Sequence, residues 1–370
     1  MPDEESGPRS RREESPEVTE GGASRRGSER AARGPGKRSR SHPAESLAGA
    51  QAGPRASERD GICVLFSGQS IQESGFCREL WKIPAARRAL ERLSPVLGED
   101  LEHLTTEADE ETLAQAGNAQ RAIHAHHLGH LAILRDRHPD LTLGGAAGHS
   151  VGVVAALVAA GSISVEDSGR FVRERARAFA DVCAALPEPS GLAAVATESL
   201  ADLEEELPAF RGLSIALENA PGKATVGGPI ESLEELARVA RREDWPVRVT
   251  LLKVAGPYHT PAFAPCGPRL AKLLAEIEVR PPKAPVFSGT TGRAETDPGS
   301  IRRFLAEQPY TKENHLAAIR AAWAAGCRRF LEAAAKPQPV TWVRDQLGDP
   351  ESLEVVAIRT EDLEEVELRG

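Results

Sequence analysis

Short apolar runs alternate with helical patterns along the chain after residue 60. A first run at 61–66 is followed by a glycine, and helical spacing of apolar residues covers 113–134. A second run at 141–147 leads into a glycine-rich turn, and a further apolar helical pattern covers 151–160. Short apolar runs of this kind predict strands that are buried on both faces. The second run therefore predicts a strand, a tight turn and a helix in direct succession.

The pattern changes between residues 186 and 254. The order there is strand, helix, strand, strand, helix, strand, which is the split βαββαβ arrangement of a ferredoxin-like unit. The predicted strands are 192–196, 213–218, 223–226 and 247–254, and the predicted helices are 200–207 and 230–242. A strand at 285–288, a helix at 311–326 and a strand at 329–332 then return the chain to the first domain.

This order predicts an α/β protein in which a small domain is inserted into a larger one. The larger domain, with a parallel sheet, comprises 61–185 and 255–358, and the ferredoxin-like small domain comprises 186–254. Residues 1–60 contain no Phe, Trp or Tyr and are rich in Arg, Glu, Ser, Gly and Pro, which predicts a disordered charged tail. Residues 359–370 predict an acidic C-terminal tail.

Composition excludes several classes of partner. The 370 residues include 46 Lys and Arg against 55 Asp and Glu, so the net charge of −9 disfavours nucleic acid. The longest apolar run is shorter than the roughly 20 residues that cross a bilayer, so we expect no membrane segment. The five widely spaced cysteines form no metal-ligand spacing, and no signal peptide is recognisable. We expect reduced thiols and a cytoplasmic location.

The turn after the second strand carries the first chemical signal. Gly148-His149-Ser150-Val151-Gly152 matches GxSxG between a strand and a helix. In that setting small neighbours allow a tight elbow that exposes the serine hydroxyl at a helix N-terminus. Ser150 is therefore predicted to be a nucleophile, and a purely structural turn is the alternative.

A serine nucleophile needs a base, and His259 is the best candidate. It lies in a proline-flanked loop, 256–261, after a predicted strand. A histidine that only packs or caps is the alternative. A second group, His124, His126, His127 and His130, lies in a predicted helix without a nearby carboxylate or cysteine, so we expect packed or solvated histidines there and no metal.

Arg175 is the second unusual residue. At helical spacing it shares a face with Phe171, Val172 and Phe179, so its guanidinium is predicted to point inward. A buried guanidinium needs an anion because an unpaired buried charge is very costly. Two partners stay open, a carboxylate of the protein or a substrate carboxylate bound by both ends of the guanidinium.

These motifs together resemble the malonyl-CoA:acyl carrier protein transacylases and the acyltransferase domains of fatty-acid and polyketide synthases. The resemblance covers about residues 61–345. Ser150 lies in a segment similar to the family's GHSLG, Arg175 in one similar to LVRxR, and His259 in one similar to FHS. Four further segments resemble FPGQGSQ, NxP followed by VxSG, RQLYNPV and EVGPGP; they are 66–72, 219–221 with 226–228, 307–310, and 330–332 with 336–337.

The resemblance implies an α/β-hydrolase-like large domain and a serine-bound acyl-enzyme. Ser150 would accept a malonyl group from malonyl-CoA, His259 would be the general base, and the product would be a malonyl thioester on the phosphopantetheine of an acyl carrier protein. Further implied roles are an oxyanion hole from the backbone N–H groups of Gln69 and Val151, substrate binding by Arg175, Tyr258 and Asn219, and orientation of the histidine by the main-chain carbonyl of Gln308. No metal and no cofactor of its own are implied.

The chain departs from the family pattern at several positions. Val153 replaces a glutamate of the elbow helix, and Ala334-Ala335 replaces a glycine-proline pair. Two other functions therefore stay open. One is an acyl hydrolase of the same fold that acts on acyl-carrier-protein or acyl-CoA thioesters, and the other is a non-catalytic docking subunit of a synthase.

Overall fold

A computed structural model of the chain describes residues 61–69, 71–98 and 100–362. These residues form eleven strands. They are β1 (Gly61–Phe66), β2 (Leu143–Gly148), β3 (Ser190–Thr197), β4 (Ser214–Ala220), β5 (Lys223–Pro229), β6 (Val247–Leu251), β7 (Val286–Ser288), β8 (Arg293–Glu295), β9 (Glu313–Asn314), β10 (Cys327–Ala333) and β11 (Glu354–Ile358). The predicted tail at 1–60 and residues 363–370 of the predicted C-terminal tail lie outside the described residues.

The same residues form thirteen α-helices. They are α1 (Arg78–Lys82), α2 (Pro84–Leu97), α3 (Leu101–Thr106), α4 (Glu110–Ala114), α5 (Ala116–Arg137), α6 (Gly152–Ala159), α7 (Val165–Ala185), α8 (Leu200–Glu206), α9 (Ile230–Arg242), α10 (Cys266–Glu276), α11 (Pro298–Glu307), α12 (His315–Ala324) and α13 (Pro339–Leu347). Within this described part, no helix has the length and apolar content needed to cross a membrane.

The larger sheet has six strands in the order β11-β10-β1-β2-β7-β8. Neighbouring strands run parallel, except that β8 is antiparallel to β7. Along β1, Val64 and Phe66 pack into one apolar cluster, and the alternating Cys63 and Leu65 pack into another on the opposite face. The strand is apolar throughout because both faces of the sheet are covered.

The second sheet has the order β6-β3-β5-β4-β9. Its first four strands pair antiparallel, and with α8 and α9 they give the βαββαβ order with the strand arrangement of a ferredoxin-like unit. Leu203 of α8 and Leu233 and Leu236 of α9 pack in one buried cluster with Val195 and Val226 of the sheet. The predicted fold class, an α/β-hydrolase-like domain with a ferredoxin-like insertion, is confirmed.

Two predicted helices were wrong in part. The helix predicted at 311–326 begins only at His315, because the Asn314 side chain accepts a hydrogen bond from the Ala317 N–H and caps the helix. The residue before it, Glu313, is extended and pairs with Leu217 of β4, so this segment adds a strand to the second sheet. The helix predicted at 113–134 is two helices, because Gln115, with φ −60° and ψ 134°, is not helical and separates α4 from α5.

The domain bounds stay a prediction, although two features qualify them. The strand β9 lies in the sequence of the larger domain but belongs to the second sheet. Thr360 falls in the predicted C-terminal tail, yet it is buried and its Oγ1 lies 3.0 Å from Nε2 of His130 in α5. The packed part of the chain therefore continues beyond residue 358.

Candidate active site

The nucleophile elbow joins β2 directly to α6. Ser150 has a φ of 52°, in the left-handed region that a side chain seldom adopts. Only glycine fits at both ends of the turn. A Cβ on Gly148 would lie 2.1 Å from the Gly152 carbonyl carbon, and a Cβ on Gly152 would lie 2.4 Å from the Phe66 oxygen. The close approach of these backbone segments holds Ser150 at the end of the sheet.

Ser150 and His259 lie in hydrogen-bond contact across 109 residues of sequence. The serine Oγ is 2.7 Å from His259 Nε2, and the other ring nitrogen, Nδ1, is 2.9 Å from the main-chain carbonyl of Gln308. A carbonyl oxygen only accepts, so Nδ1 carries the ring proton and Nε2 is free to accept the serine proton. The structure thus brings together the predicted nucleophile, the predicted base and the carbonyl that the resemblance assigned to orient the base.

His259 is buried and electrically neutral near pH 7. Burial, together with the nearby Arg175 guanidinium, lowers its pKa from 6.5 to about 3, even though the hydrogen bonds with the backbone of Gln308 and Thr311 raise it. The backbone of His259 has a φ of 61°, and its main-chain N–H donates to the Pro309 carbonyl at 2.8 Å. A neutral, fixed imidazole is the form that a general base requires.

A cleft of about 490 Å³ opens beside this pair, a size that suits a small-molecule site. Ser150 and His259 line it together with three other predicted site residues, Gln69, Tyr258 and Asn219. Apolar and small residues of the second sheet and its flanking loop cover one wall; they are Leu192, Ala194, Leu217, Leu252 and Val254. The cleft therefore lies between the elbow and the second sheet.

Tyr258 and Asn219 have partners of their own in the cleft wall. The Tyr258 ring packs against Phe179 and Phe263, at centroid distances of 5.0 and 5.2 Å. The Asn219 Oδ1 lies 2.9 Å from Nε2 of His149, and its amide donates to Thr225 Oγ1 at 3.3 Å. Asn219 therefore ties the elbow to the second sheet, a contact that the sequence did not predict.

The two predicted oxyanion donors lie at the elbow and at the end of β1. Val151 is the N-cap residue of α6, so its N–H belongs to the positive end of that helix. Gln69 belongs to the loop after β1 and lines the cleft. Their role in binding an oxyanion stays a prediction.

Arg175 is 1% exposed, and it is not among the residues that line the cleft in this structure. Its Nη1 donates to the Gln120 side-chain oxygen, its Nη2 donates to Gln308 Oε1 at 3.2 Å, and its guanidinium carbon is 4.2 Å from the centre of the Phe179 ring. Among the residues that the structure describes, no carboxylate forms an ion pair with it, and its Nε has no partner. Burial lowers its pKa from 12.5 to about 10, so it stays charged near pH 7.

The side chain of Gln308 forms hydrogen bonds that the sequence did not predict. Besides its carbonyl contact with His259, its side-chain amide donates to the Ser150 carbonyl at 2.9 Å and to Glu313 Oε2 at 3.2 Å. Its side-chain oxygen accepts from Arg175. Sequence analysis missed both this side chain and Glu313, whose Oε1 accepts a hydrogen bond from the Ser150 N–H at 2.7 Å.

The histidines of α5 are packed side chains. His124 Nε2 lies 2.9 Å from Ser168 Oγ, His126 Nε2 accepts from the Ala335 N–H, and His130 contacts Thr360. In the described ranges, no group of three or more His, Cys, Asp or Glu side chains could hold a metal ion. All five cysteines are free thiols.

Comparison with known proteins places the chain in a family. A family model described as "Acyl transferase domain" matches residues 64–366. The malonyl CoA-acyl carrier protein transacylase of Bacillus subtilis (strain 168) is 30% identical over an alignment of 281 residues, and the match covers 73% of this chain and 86% of that protein. The mitochondrial malonyl-CoA-acyl carrier protein transacylase of Mus musculus is 30% identical over an alignment of 261 residues, and the match covers 66% of this chain and 67% of that one.

The fold agrees with these relatives. The crystal structure of MCAT from Mycobacterium tuberculosis superposes with a TM-score of 0.74 at 27% identity, covering 82% of this chain and 98% of the other. An α/β fold with a serine on a strand-to-helix elbow, hydrogen-bonded to a buried histidine, is the arrangement of an enzyme with a serine nucleophile. The chain belongs to the acyl transferase domain family.

Proposed function

We propose that this protein transfers a malonyl group from malonyl-CoA to the phosphopantetheine thiol of an acyl carrier protein. The observation that carries the proposal is the buried Arg175. It is a cation without an ion-paired carboxylate in the described part of the chain, and one amide side chain, Gln308, connects it to Ser150. The transacylases of B. subtilis and mouse, named for this reaction, support the same substrate and partner.

The first half-reaction forms an ester on Ser150. As Oγ attacks the malonyl thioester carbonyl, the serine proton passes to Nε2 of His259. The N–H groups of Gln69 and Val151 are proposed to stabilise the oxyanion. The intermediate then collapses, the carbon–sulfur bond breaks, and the thiolate of CoA leaves with the proton from His259.

The second half-reaction reverses these steps with a different thiol. His259 takes the proton from the phosphopantetheine thiol, whose sulfur attacks the malonyl ester, and then returns the proton to Ser150 Oγ as the ester bond breaks. Every proton transfer uses His259, so the proposed reaction needs no metal and no cofactor of the protein's own.

Selectivity for malonyl is proposed to come from Arg175. A carboxylate at the far end of the acyl group would pair with the guanidinium, whereas an acetyl group would leave the charge unpaired. Tyr258 would limit the space beside the malonyl carbon, because it lies in the cleft wall and packs against two phenylalanines. We also propose a cytoplasmic location, since free thiols are the usual state of cysteine in a reducing compartment.

Intact-mass analysis tests the proposal. Purified protein is mixed with malonyl-CoA, with and without a phosphopantetheinylated carrier protein, beside a Ser150→Ala control. We expect a malonyl adduct on Ser150 that moves to the carrier thiol and is missing in the control. An adduct that decays to free malonate while the carrier stays unloaded would support the hydrolase, and no adduct with any acyl-CoA would support the non-catalytic docking subunit.

A further inference from the structure

Glu313 is a buried acid beside the serine–histidine pair. It lies on the short strand β9, which pairs parallel to β4 at the edge of the second sheet, and it is 1% exposed. A buried carboxylate is costly unless it is paired or accepts hydrogen bonds. The partners of this buried carboxylate therefore indicate its role in the site.

The two carboxylate oxygens contact different members of the site. Oε1 accepts a hydrogen bond from the N–H of Ser150 at 2.7 Å. Oε2 accepts from the side-chain amide of Gln308 at 3.2 Å and lies 3.9 Å from Nδ1 of His259. One side chain thus holds the backbone of the nucleophile and places a charge next to the base.

Apart from Glu313, the described neighbours of His259 do little to stabilise a positive charge on its ring. The ring donates Nδ1–H to the carbonyl of Gln308, which is a neutral group. When Nε2 takes the serine proton, an imidazolium forms in a buried environment, and both this burial and the nearby charge of Arg175 disfavour it. Of the carboxylates that the structure describes, Glu313 is the one in ion-pair range of His259.

We propose that Glu313 is a positioning residue that stabilises the imidazolium form of His259 during acyl transfer and fixes the backbone of Ser150. The inference rests on the proposed roles of Ser150 and His259 as nucleophile and base. It assigns to this chain an acidic group in addition to the carbonyl that orients the histidine. In water-excluded surroundings a charge at this distance acts strongly on the base.

Both carboxylate oxygens of Glu313 accept hydrogen bonds from N–H donors, as an ionised carboxylate does. Burial raises the pKa of its carboxyl above the usual value, and the interactions with His149, Ser150, Arg175 and Gln308 offset this only in part. The oxygen of an uncharged amide could still accept from the Ser150 N–H, but its nitrogen would face the Gln308 amide donor, and the amide could not supply the charge. Glu313→Gln therefore removes the charge and one acceptor, both of which Glu313→Asp retains.

The test compares Glu313→Gln, which keeps the size and removes the charge, with Glu313→Asp, which keeps the charge and shortens the side chain. The first reagent is diisopropyl fluorophosphate, a neutral compound that phosphorylates an activated serine with loss of fluoride and needs no contact with Arg175. The second is malonyl-CoA with a carrier protein. If the pKa of His259 falls by one unit, the equilibrium constant for its protonation falls about 10-fold.

We expect Glu313→Gln to lower the labelling rate of Ser150 and the kcat of malonyl transfer by about 10-fold each, with KM for malonyl-CoA within about 2-fold. Glu313→Asp should be faster than Glu313→Gln. If the residue only fills space and accepts hydrogen bonds, the order of the two variants should be reversed and KM should change. Either that reversal or two variants with wild-type rates would overturn the inference.

Glu295→Gln is the matched control, since it also replaces a buried glutamate by its amide. Glu295 is 2% exposed and lies on β8, the edge strand of the larger sheet, where it accepts from Thr291 Oγ1. Melting curves of all variants check folding. Wild-type protein that reacts with the fluorophosphate but never with malonyl-CoA overturns the proposed function alone, and protein that reacts with neither overturns both proposals.

Discussion

Arg175 donates a hydrogen bond from Nη2 to the side-chain oxygen of Gln308 across 3.2 Å. The amide nitrogen of the same side chain donates to the Ser150 carbonyl at 2.9 Å, and the main-chain carbonyl of Gln308 lies 2.9 Å from His259 Nδ1. A single neutral residue therefore touches the buried cation, the serine and the histidine. A substrate carboxylate that displaced or joined Gln308 at Arg175 would be positioned relative to both reacting groups.

The first prediction concerns acyl selectivity. Arg175→Ala should lower malonyl loading by about 100-fold or more, because hydrogen bonds to a charged group contribute about 1.5–3 kcal/mol each. Acetyl loading should fall much less, since acetyl has no carboxylate to bind. The rates of loading from malonyl-CoA and from acetyl-CoA give the malonyl-to-acetyl ratio for each variant.

Arg177→Ala, which removes an exposed arginine of the same helix, is the control. An unchanged malonyl preference in Arg175→Ala would show that Arg175 does not select the substrate.

The site shows which features a sequence can predict. The Ser150 elbow could be predicted because strand, turn and helix follow one another, and small residues are required within five positions. Arg175 could be predicted to be buried from the apolar residues on its helix face. The carbonyl of Gln308 followed only from the family resemblance, because a main-chain group leaves no residue signature.

Glu313 could not have been predicted from local pattern. Its contact with Ser150 spans 163 residues, and the segment around it resembles the start of a helix in apolar spacing. The same limit applies to the fold. The buried β1 was evident from its apolar run, whereas β8 comprises only Arg293–Glu295 and carries two charged residues, so its membership of the sheet depends on pairing with β7.

The second prediction concerns the glycines of the elbow. Gly148→Ala should destabilise the protein by several kcal/mol or prevent folding, because its Cβ would lie 2.1 Å from backbone atoms that cannot move independently. Gly117→Ala is the matched control. Nothing described lies within 4 Å of a Cβ at this position in α5, and alanine favours helix by about 1 kcal/mol. Urea unfolding of both variants measures the effect, and equal stability of the two would contradict the steric account.

The third prediction concerns acid stability. Burial lowers the pKa of His124 from 6.5 to about 3 and that of His130 to about 4, and it holds the pKa of His127 well below the usual range. At these histidines the unfolded chain therefore binds more protons than the folded one at pH values below about 6.5. Their contribution to stability should be complete above that pH and should fall toward pH 4, by about 1.4 kcal/mol per pH unit for each such histidine.

His127 offers a direct test of this pH dependence. Neither of its ring nitrogens has a partner within the described residues, and its ring packs edge-on against Phe66. His127→Leu should therefore retain stability at pH 7 and lose less of it between pH 6 and pH 4.5 than the wild type does. Urea unfolding across this range gives the two slopes, and identical slopes would mean that His127 does not titrate on unfolding.

The fourth prediction has the opposite sign and concerns Glu332. This carboxylate on β10 accepts a hydrogen bond from Ser67 Oγ and from the N–H groups of Gln338 and Val340, at 2.9 and 3.1 Å for the last two. It thereby joins the loop of Gln69 to the loop after β10, of which Gln338 lines the cleft. Burial outweighs these bonds and raises the pKa of Glu332 from 4.5 to about 7.

A raised pKa in the folded state means that the folded protein binds the extra proton. Below pH 4.5 the Glu332 carboxyl is protonated in both the folded and the unfolded chain, so it does not change the free energy of unfolding. Between pH 4.5 and about pH 7 its ionisation lowers the free energy of unfolding progressively, and above pH 7 this loss is constant. Glu332→Gln keeps the size and is never ionised, so it should gain stability relative to the wild type by up to about 3 kcal/mol between pH 4.5 and pH 8. Unfolding free energies of both proteins at pH 5 and pH 8 measure this difference. Because the histidines are common to both proteins, their opposite contribution cancels, and a difference that stays constant with pH would show that Glu332 is ionised equally in the folded and unfolded chains.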